Sequence, residues 1–177
     1  LDEMYRFLRR HNEELSKLAN FSQFYDEFKS YVIKCRGYSD LLEGLTSKDD
    51  RTLMSVSNEV RFLIGNNQIS SEHIKLICSR LLLEVANYFV DCLDLVKEYL
   101  RKNGNTEIPP EIISCIDHIL NKFSLEKLQA IGVDVPLASS ILIKIAKSLN
   151  QVAPDLRSTQ KWLKIEESQR YHWIRLY

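Results

Sequence analysis

Glycine and proline are scarce in this chain, with five Gly and four Pro among 177 residues. Each glycine stands alone, so the sequence has no GxGxxG pattern and no P-loop of the kind that cradles phosphate groups. A nucleotide-binding loop of either type is therefore excluded. The glycines are Gly37, Gly44, Gly65, Gly104 and Gly132.

An excess of charge of either sign is also absent, because 24 Lys and Arg residues balance 24 Asp and Glu residues. With a pI near 7.1, no overall field attracts the chain to nucleic acid or to an anionic membrane. Any such binding must come from a local patch. No run approaches the roughly 18 uninterrupted apolar residues of a transmembrane helix, so we expect a soluble protein without a membrane partner.

The start of the chain, Leu-Asp-Glu-Met, does not have the pattern of a signal peptide. Because the first residue is Leu1 and not Met, we expect a fragment of a longer protein with further domains.

The four cysteines lie far apart and form no Cys-x-x-Cys pair, which argues against a zinc knuckle or a redox motif. Most of them continue apolar stripes, where a free thiol acts as a small hydrophobic side chain. We therefore expect reduced thiols and an intracellular location, cytoplasmic or nuclear, while the even number also allows two disulfides. They are Cys35, Cys78, Cys92 and Cys115.

Residues that could perform catalysis or bind a metal form no recognisable motif. The four histidines have no i, i+4 His partner and no HExxH sequence. Cys115 and His118 share a helix face, but a metal there needs ligands from elsewhere in the chain. Asp91, Asp94 and Glu98 form a carboxylate ridge, which we interpret as a solvated face or a surface for a basic partner. The sequence predicts no catalytic residue, no metal and no cofactor.

Helical spacing, in contrast, is abundant. Between residues 73 and 102 apolar side chains recur three and four apart without losing phase, which predicts one helix of roughly 45 Å. Such a helix either bends or is a spine held by other helices. We predict an all-α fold, an irregular helical bundle or short α-solenoid of about seven or eight helices with this long central helix.

The best internal boundary lies at residues 102–110, where an Asn-Gly pair is followed by Pro109 and Pro110. This predicts an N-terminal helical subdomain, residues 1–102, that ends in the long helix. A C-terminal subdomain of shorter helices, residues 103–177, packs on it, and the two form one unit. The helix starts are signalled by Asp49 or Asp50, Ser124, Asp134 and Pro154.

An aromatic seam at coiled-coil spacing marks the second predicted helix, residues 22–36. Its rings either pack against neighbouring helices or line part of a groove for a partner. Large apolar side chains beyond those that one helix face needs favour the second interpretation. The partner-binding residues predicted on this basis are Phe7, Phe21, Tyr25, Phe28 and Tyr38.

The last predicted helix interleaves cations with aromatic rings, a composition that suits phosphate contact and base stacking. An amphipathic structural helix and a protein-partner surface are the alternatives, and Glu166 and Glu167 dilute the positive field. The residues that could contact nucleic acid or a partner are Lys161, Trp162, Lys164, Arg170 and Trp173.

One stretch loosely resembles the end of the helical N-terminal domain of the transcription elongation factor TFIIS family. It comprises SLEKLQAIG at residues 124–132, the apolar run at 142–149, Val152 and KWLK at 161–164. That family is a small bundle that docks short disordered peptides. The resemblance covers at most a third of the chain, which lacks the family's basic helix before the Trp, and it implies a nuclear peptide-docking role.

These observations favour a non-enzymatic helical domain that docks a partner helix or peptide as part of a larger intracellular assembly. A nucleic-acid-binding module that uses the C-terminal helix is the second hypothesis. A regulatory subunit or fragment of an enzyme complex is the third.

Overall fold

The computed structural model describes residues 2–36, 43–104 and 107–175, and all regular structure in these ranges is helical. The prediction of an all-α fold is confirmed. Within these ranges one 3₁₀ turn, Gly44–Thr46, accompanies the α-helices. The helices are α1 Asp2–Arg10, α2 Asn12–Leu15, α3 Phe21–Arg36, α4 Asp50–Gly65, α5 Ser71–Leu81, α6 Ala86–Lys102, α7 Pro110–Lys122, α8 Leu125–Ile131, α9 Val135–Val152 and α10 Arg157–Arg175.

The chain divides into two units, Leu1–Glu43 and Gly44–Tyr177. In the first, α1 packs against α2 and α3, and Leu8 and Phe21 are the apolar side chains that its described part buries. The predicted junction between residues 102 and 103 lies inside the second unit.

The second unit is organised around α6, which packs against α4, α5 and α9. Its buried face carries Phe89, Leu93 and Leu100, each almost or completely inaccessible to solvent. A second layer forms where α9 packs on α10 and α8, and α7 packs on α5 and α10. Helices from both sides of residue 103 therefore share one apolar core.

Short-range signals set several helix ends of the second unit. Asp49 accepts a hydrogen bond from the Thr52 amide at 3.2 Å, and Ser124 and Asp134 cap α8 and α9 in the same way. At the end of α8, Gly132 has φ of 91°, a left-handed conformation that an L side chain would strain. The predicted starts at these three caps are confirmed, whereas the last helix begins at Arg157 and not at Pro154.

The single central helix predicted over residues 73–102 is wrong, because α5 ends at Leu81 and α6 begins at Ala86. Glu84 lies in the break with φ of 57°, a backbone conformation that no α-helix contains. Its carboxylate pairs with Lys127 of α8 at 3.0 Å and with Lys122 of α7 at 3.4 Å. The apolar phase continues across the break, so helical spacing alone does not reveal it.

Candidate functional site

The described rings of the α3 aromatic seam differ in their exposure to solvent. Phe21 is buried, and its ring lies 5.8 Å from that of Tyr25, which is half-buried. Phe24 stacks on Phe28 with ring centroids 6.0 Å apart and is 51% exposed. Phe21 is thus a core residue and not an open contact, while Phe24 offers more surface than any of the predicted α3 residues.

Phe7 of α1 is 56% exposed, and the centroid of its ring lies 4.5 Å from that of the His11 ring. Met4 and Leu18 of the same unit are also exposed, although the sequence analysis did not select them. Tyr38 lies outside the described residues.

Lys161 and Trp162 of α10 close the C-terminal end of α7. The Lys161 ammonium donates hydrogen bonds to the carbonyls of Phe123 at 2.7 Å, Leu120 at 3.2 Å and Asn121 at 3.3 Å. The Trp162 indole donates to the Leu120 carbonyl at 2.8 Å. Last-turn carbonyls have no partner within their own helix, so these two side chains complete α7.

Trp162 is completely buried, so its ring cannot stack on a base or contact a partner. The prediction of Trp162 as a contact residue is therefore wrong. Partial burial lowers the pKa of Lys161, whose ammonium donates hydrogen bonds to three backbone carbonyls. Lys164 and Arg170 are exposed, and Arg170 pairs with Glu166 at 3.0 Å. The side chain of Trp173 lies outside the described part of the structure.

A groove of about 470 Å³ lies over α9, bordered by α10 and by the first residue of α8. Its apolar lining comes from Leu125, Val135, Pro136 and Ile143. Polar side chains of α9 and α10 complete the walls, namely Ser139, Ser140, Lys144, Lys147, Glu166 and Gln169.

The spacing of α9 explains why the groove runs lengthwise. Pro136, Ser140, Lys144 and Lys147 are separated by three or four residues and therefore lie on one face, and all four are exposed. From residue 136 to residue 147 the helix rises roughly 16 Å. The opposite face carries Leu142, Ile145 and Leu149, which are buried in the core.

An ion pair joins α9 to α10 at the wall of the groove. The Glu166 carboxylate receives Lys147 of α9 on one oxygen at 2.8 Å and Arg170 of α10 on the other at 3.0 Å. Among the described residues, no carboxylate lies within ion-pair distance of Lys144. Lys144 and Lys147 are not among the residues predicted from the sequence, because their place beside a groove depends on α10 lying next to α9.

A smaller cavity of about 300 Å³ lies between α5 and α7, and Cys78, Cys115 and His118 are among the residues that line it. Burial raises the pKa of the Cys78 thiol to about 12, which keeps it protonated and weakly nucleophilic at neutral pH. Within the described ranges, no three His, Cys, Asp or Glu side chains are placed to hold a metal ion together. Cys78, Cys92 and Cys115 are free thiols.

Two of the three carboxylates in the ridge of α6 form ion pairs. Asp94 pairs with Arg61 of α4 and with Lys97 at 2.9 Å, and Glu98 pairs with Arg101 at 2.8 Å. Burial alone would raise the pKa of Asp94, but Lys97 and Arg61 together lower it below its ordinary value. Burial and the neighbouring Asp94 raise the pKa of Asp91. This ridge is a network joining α4 to α6.

None of the helices described here combines the length and the apolar character needed to cross a membrane. Comparison of the chain with models of protein families, with curated proteins and with solved structures finds no match.

Proposed function

We propose that this chain is a non-enzymatic interaction domain that holds a helix or peptide segment of another protein in the groove between α9 and α10. The observation that carries the proposal is an open, apolar-floored channel flanked by charged side chains on the surface of an otherwise well-packed unit. Apolar floors with a polar rim are the usual anatomy of protein-binding surfaces.

The dimensions of the groove suit a chain segment. Its volume of about 470 Å³ is within the range of roughly 300 to 1,000 Å³ typical of ligand pockets. Its exposed side extends for roughly 16 Å along α9, which equals about three helical turns or about five extended residues. A peptide can follow this length and place two or three side chains on the floor.

An intracellular location, cytoplasmic or nuclear, is part of the proposal. The free thiols of Cys78, Cys92 and Cys115 support it, because reducing compartments keep such thiols unpaired.

Selection from a random peptide library displayed on phage tests the proposal, with the full chain as bait. Ser140 is an exposed groove residue, so Ser140→Trp fills the channel with little effect on the core. Met54→Trp is the matched control, because it places the same ring on exposed α4, away from the groove.

Selected peptides should bind the unmodified chain and Met54→Trp equally and lose at least about tenfold in affinity for Ser140→Trp, a loss of about 1.4 kcal/mol. Circular dichroism would verify that both variants are folded. Peptides that bind Ser140→Trp as well as the unmodified chain, or a library that yields no binder, would reject the groove as the docking site.

A further inference from the structure

The charges around the groove are unbalanced. Among the residues that line the groove, Lys144 and Lys147 stand against the single carboxylate of Glu166, whose two oxygens are engaged by Lys147 and by Arg170 of α10. Lys144 is exposed and has no ion-pair partner among the described residues. One rim of the groove therefore presents an uncompensated cation beside the apolar floor.

An exposed apolar side chain accompanies this cation. Leu137 is 49% exposed and precedes Lys144 by seven residues, so the two lie on nearly the same face of α9, two turns apart. Ser140 lies between them on this face. A segment along this rim would meet an apolar surface first, then a hydroxyl, and then a positive charge.

We infer that the groove selects acidic amphipathic segments, in which apolar side chains enter the floor and a carboxylate one or two helical turns away pairs with Lys144. This inference rests on the docking function proposed above and specifies the chemistry of the partner. Charge complementarity at a rim steers association and rejects like-charged partners more than it adds affinity. Lys144 is therefore a specificity-determining residue, and the apolar floor supplies most of the binding.

A protein segment fits this surface better than nucleic acid, although both are anionic. Within the described part of the chain, the groove lining contains no aromatic ring on which a base could stack, and Trp162 is buried in the core. Apolar side chains, in contrast, have a matching floor in Leu125, Val135 and Ile143.

Three labelled peptides of about 16 residues, roughly 24 Å as helices, test the inference by fluorescence anisotropy with the full chain. All three carry the same Leu and Phe residues at helical spacing, with Glu in the acidic probe, Gln in the neutral probe and Lys in the basic probe at the other positions. A single-stranded oligothymidine of similar length serves as the polyanion without apolar side chains.

The acidic probe should bind about three- to tenfold more tightly than the neutral probe at low salt, and the basic probe most weakly, as expected for one or two rim charge pairs. The preference should shrink as salt is added, because exposed charges are screened. Lys144→Glu should abolish it. Lys164→Glu, an identical charge change on exposed α10 outside the groove lining, should retain it.

The outcomes separate the two proposals. If the acidic and neutral probes bind equally, and both lose affinity for Ser140→Trp, the docking function stands and the charge inference is overturned. Oligothymidine binding as tight as that of the acidic probe would overturn it in favour of a general polyanion site. Failure of all three peptides to bind would overturn the inference about the partner's chemistry, while the peptide-library selection decides the docking function separately.

Discussion

In the second unit, Phe89 of α6 meets Phe123 edge to face at 4.9 Å, and both rings are completely buried. In the first unit, Phe24 stacks on Phe28 at 6.0 Å, yet half of the Phe24 surface remains exposed. Both pairs are apolar rings in helical sequence patterns. Phe89 and Phe123 are fully buried, whereas Phe24 is half-exposed, so the pattern alone does not distinguish a core from a surface.

The groove illustrates the same difference within one helix. Ile141, Leu142 and Ile145 of α9 are buried against the rest of the second unit, while the face with Ser140 and Lys144 remains open. A stable core on one side gives the other side a fixed shape. We therefore expect the second unit to provide the rigid docking surface. The stability of the first unit should depend less on its apolar rings.

The largest expected effect comes from comparing one substitution in each unit. Phe89→Ala should cost about 3 to 5 kcal/mol of unfolding free energy, because it removes a fully buried ring and leaves a cavity. Phe24→Ala should cost less than about 1 kcal/mol, since most surface substitutions have small effects. Urea denaturation followed by circular dichroism measures both, and equal costs would remove the distinction between the units.

Trp162→Phe tests the hydrogen bond that Trp162 donates to the C-terminal end of α7. The change keeps an aromatic ring in the core but removes the indole donor to the Leu120 carbonyl. It should cost about 1 to 3 kcal/mol, because a buried acceptor loses a partner. Lys161 also donates to this carbonyl, so the cost should rise in the background of Lys161→Met. Trp162→Phe without any cost would show that the indole hydrogen bond is unimportant for α7.

Asp94→Asn tests the ion-pair network between α4 and α6. At neutral pH it should cost up to about 1 kcal/mol, because the pair is partly solvent-screened. Since the native state lowers the pKa of Asp94, its stabilising effect is present above the unfolded pKa near 3.9 and is lost as the pH falls through the lower native pKa. Thermal unfolding at pH 7 and pH 3 should show a smaller difference between variant and unmodified chain at pH 3. A difference that grows in acid would contradict the pairing.

The smallest expected effect is that of Lys144→Glu on folding. Lys144 is exposed and unpaired among the described residues, so the free energy of unfolding should change by less than about 0.5 kcal/mol. Urea denaturation would measure it alongside Lys164→Glu. A loss above 1 kcal/mol would mean that Lys144 is a structural residue and not a free rim cation.

Sequence reasoning succeeded where the cause is local. Asp49, Ser124 and Asp134 cap their helices through atoms three residues away, so the sequence contains all the required information. It failed at the break around Glu84, where the partners Lys122 and Lys127 lie on other helices. It did not find the groove either, because no periodicity encodes which two helices lie side by side.

The aromatic and cationic composition of the last helix shows the same limit. Lys161 and Trp162 have the residue types of a nucleic-acid surface, yet their donors are used by carbonyls of α7, more than 35 residues earlier in the chain. Residue type indicates which interactions are possible, and the fold decides which partner is reached.

The most direct test of the docking surface is a titration of the ¹⁵N-labelled chain with the acidic probe, followed by NMR chemical shifts of the backbone amides. We predict saturable shifts concentrated at Ser140, Lys144, Lys147 and Gln169, which are lost in Ser140→Trp. Shifts concentrated at Phe7 and Phe24, with the α9 amides unchanged, would contradict the account and assign the docking surface to the aromatic rings of the first unit.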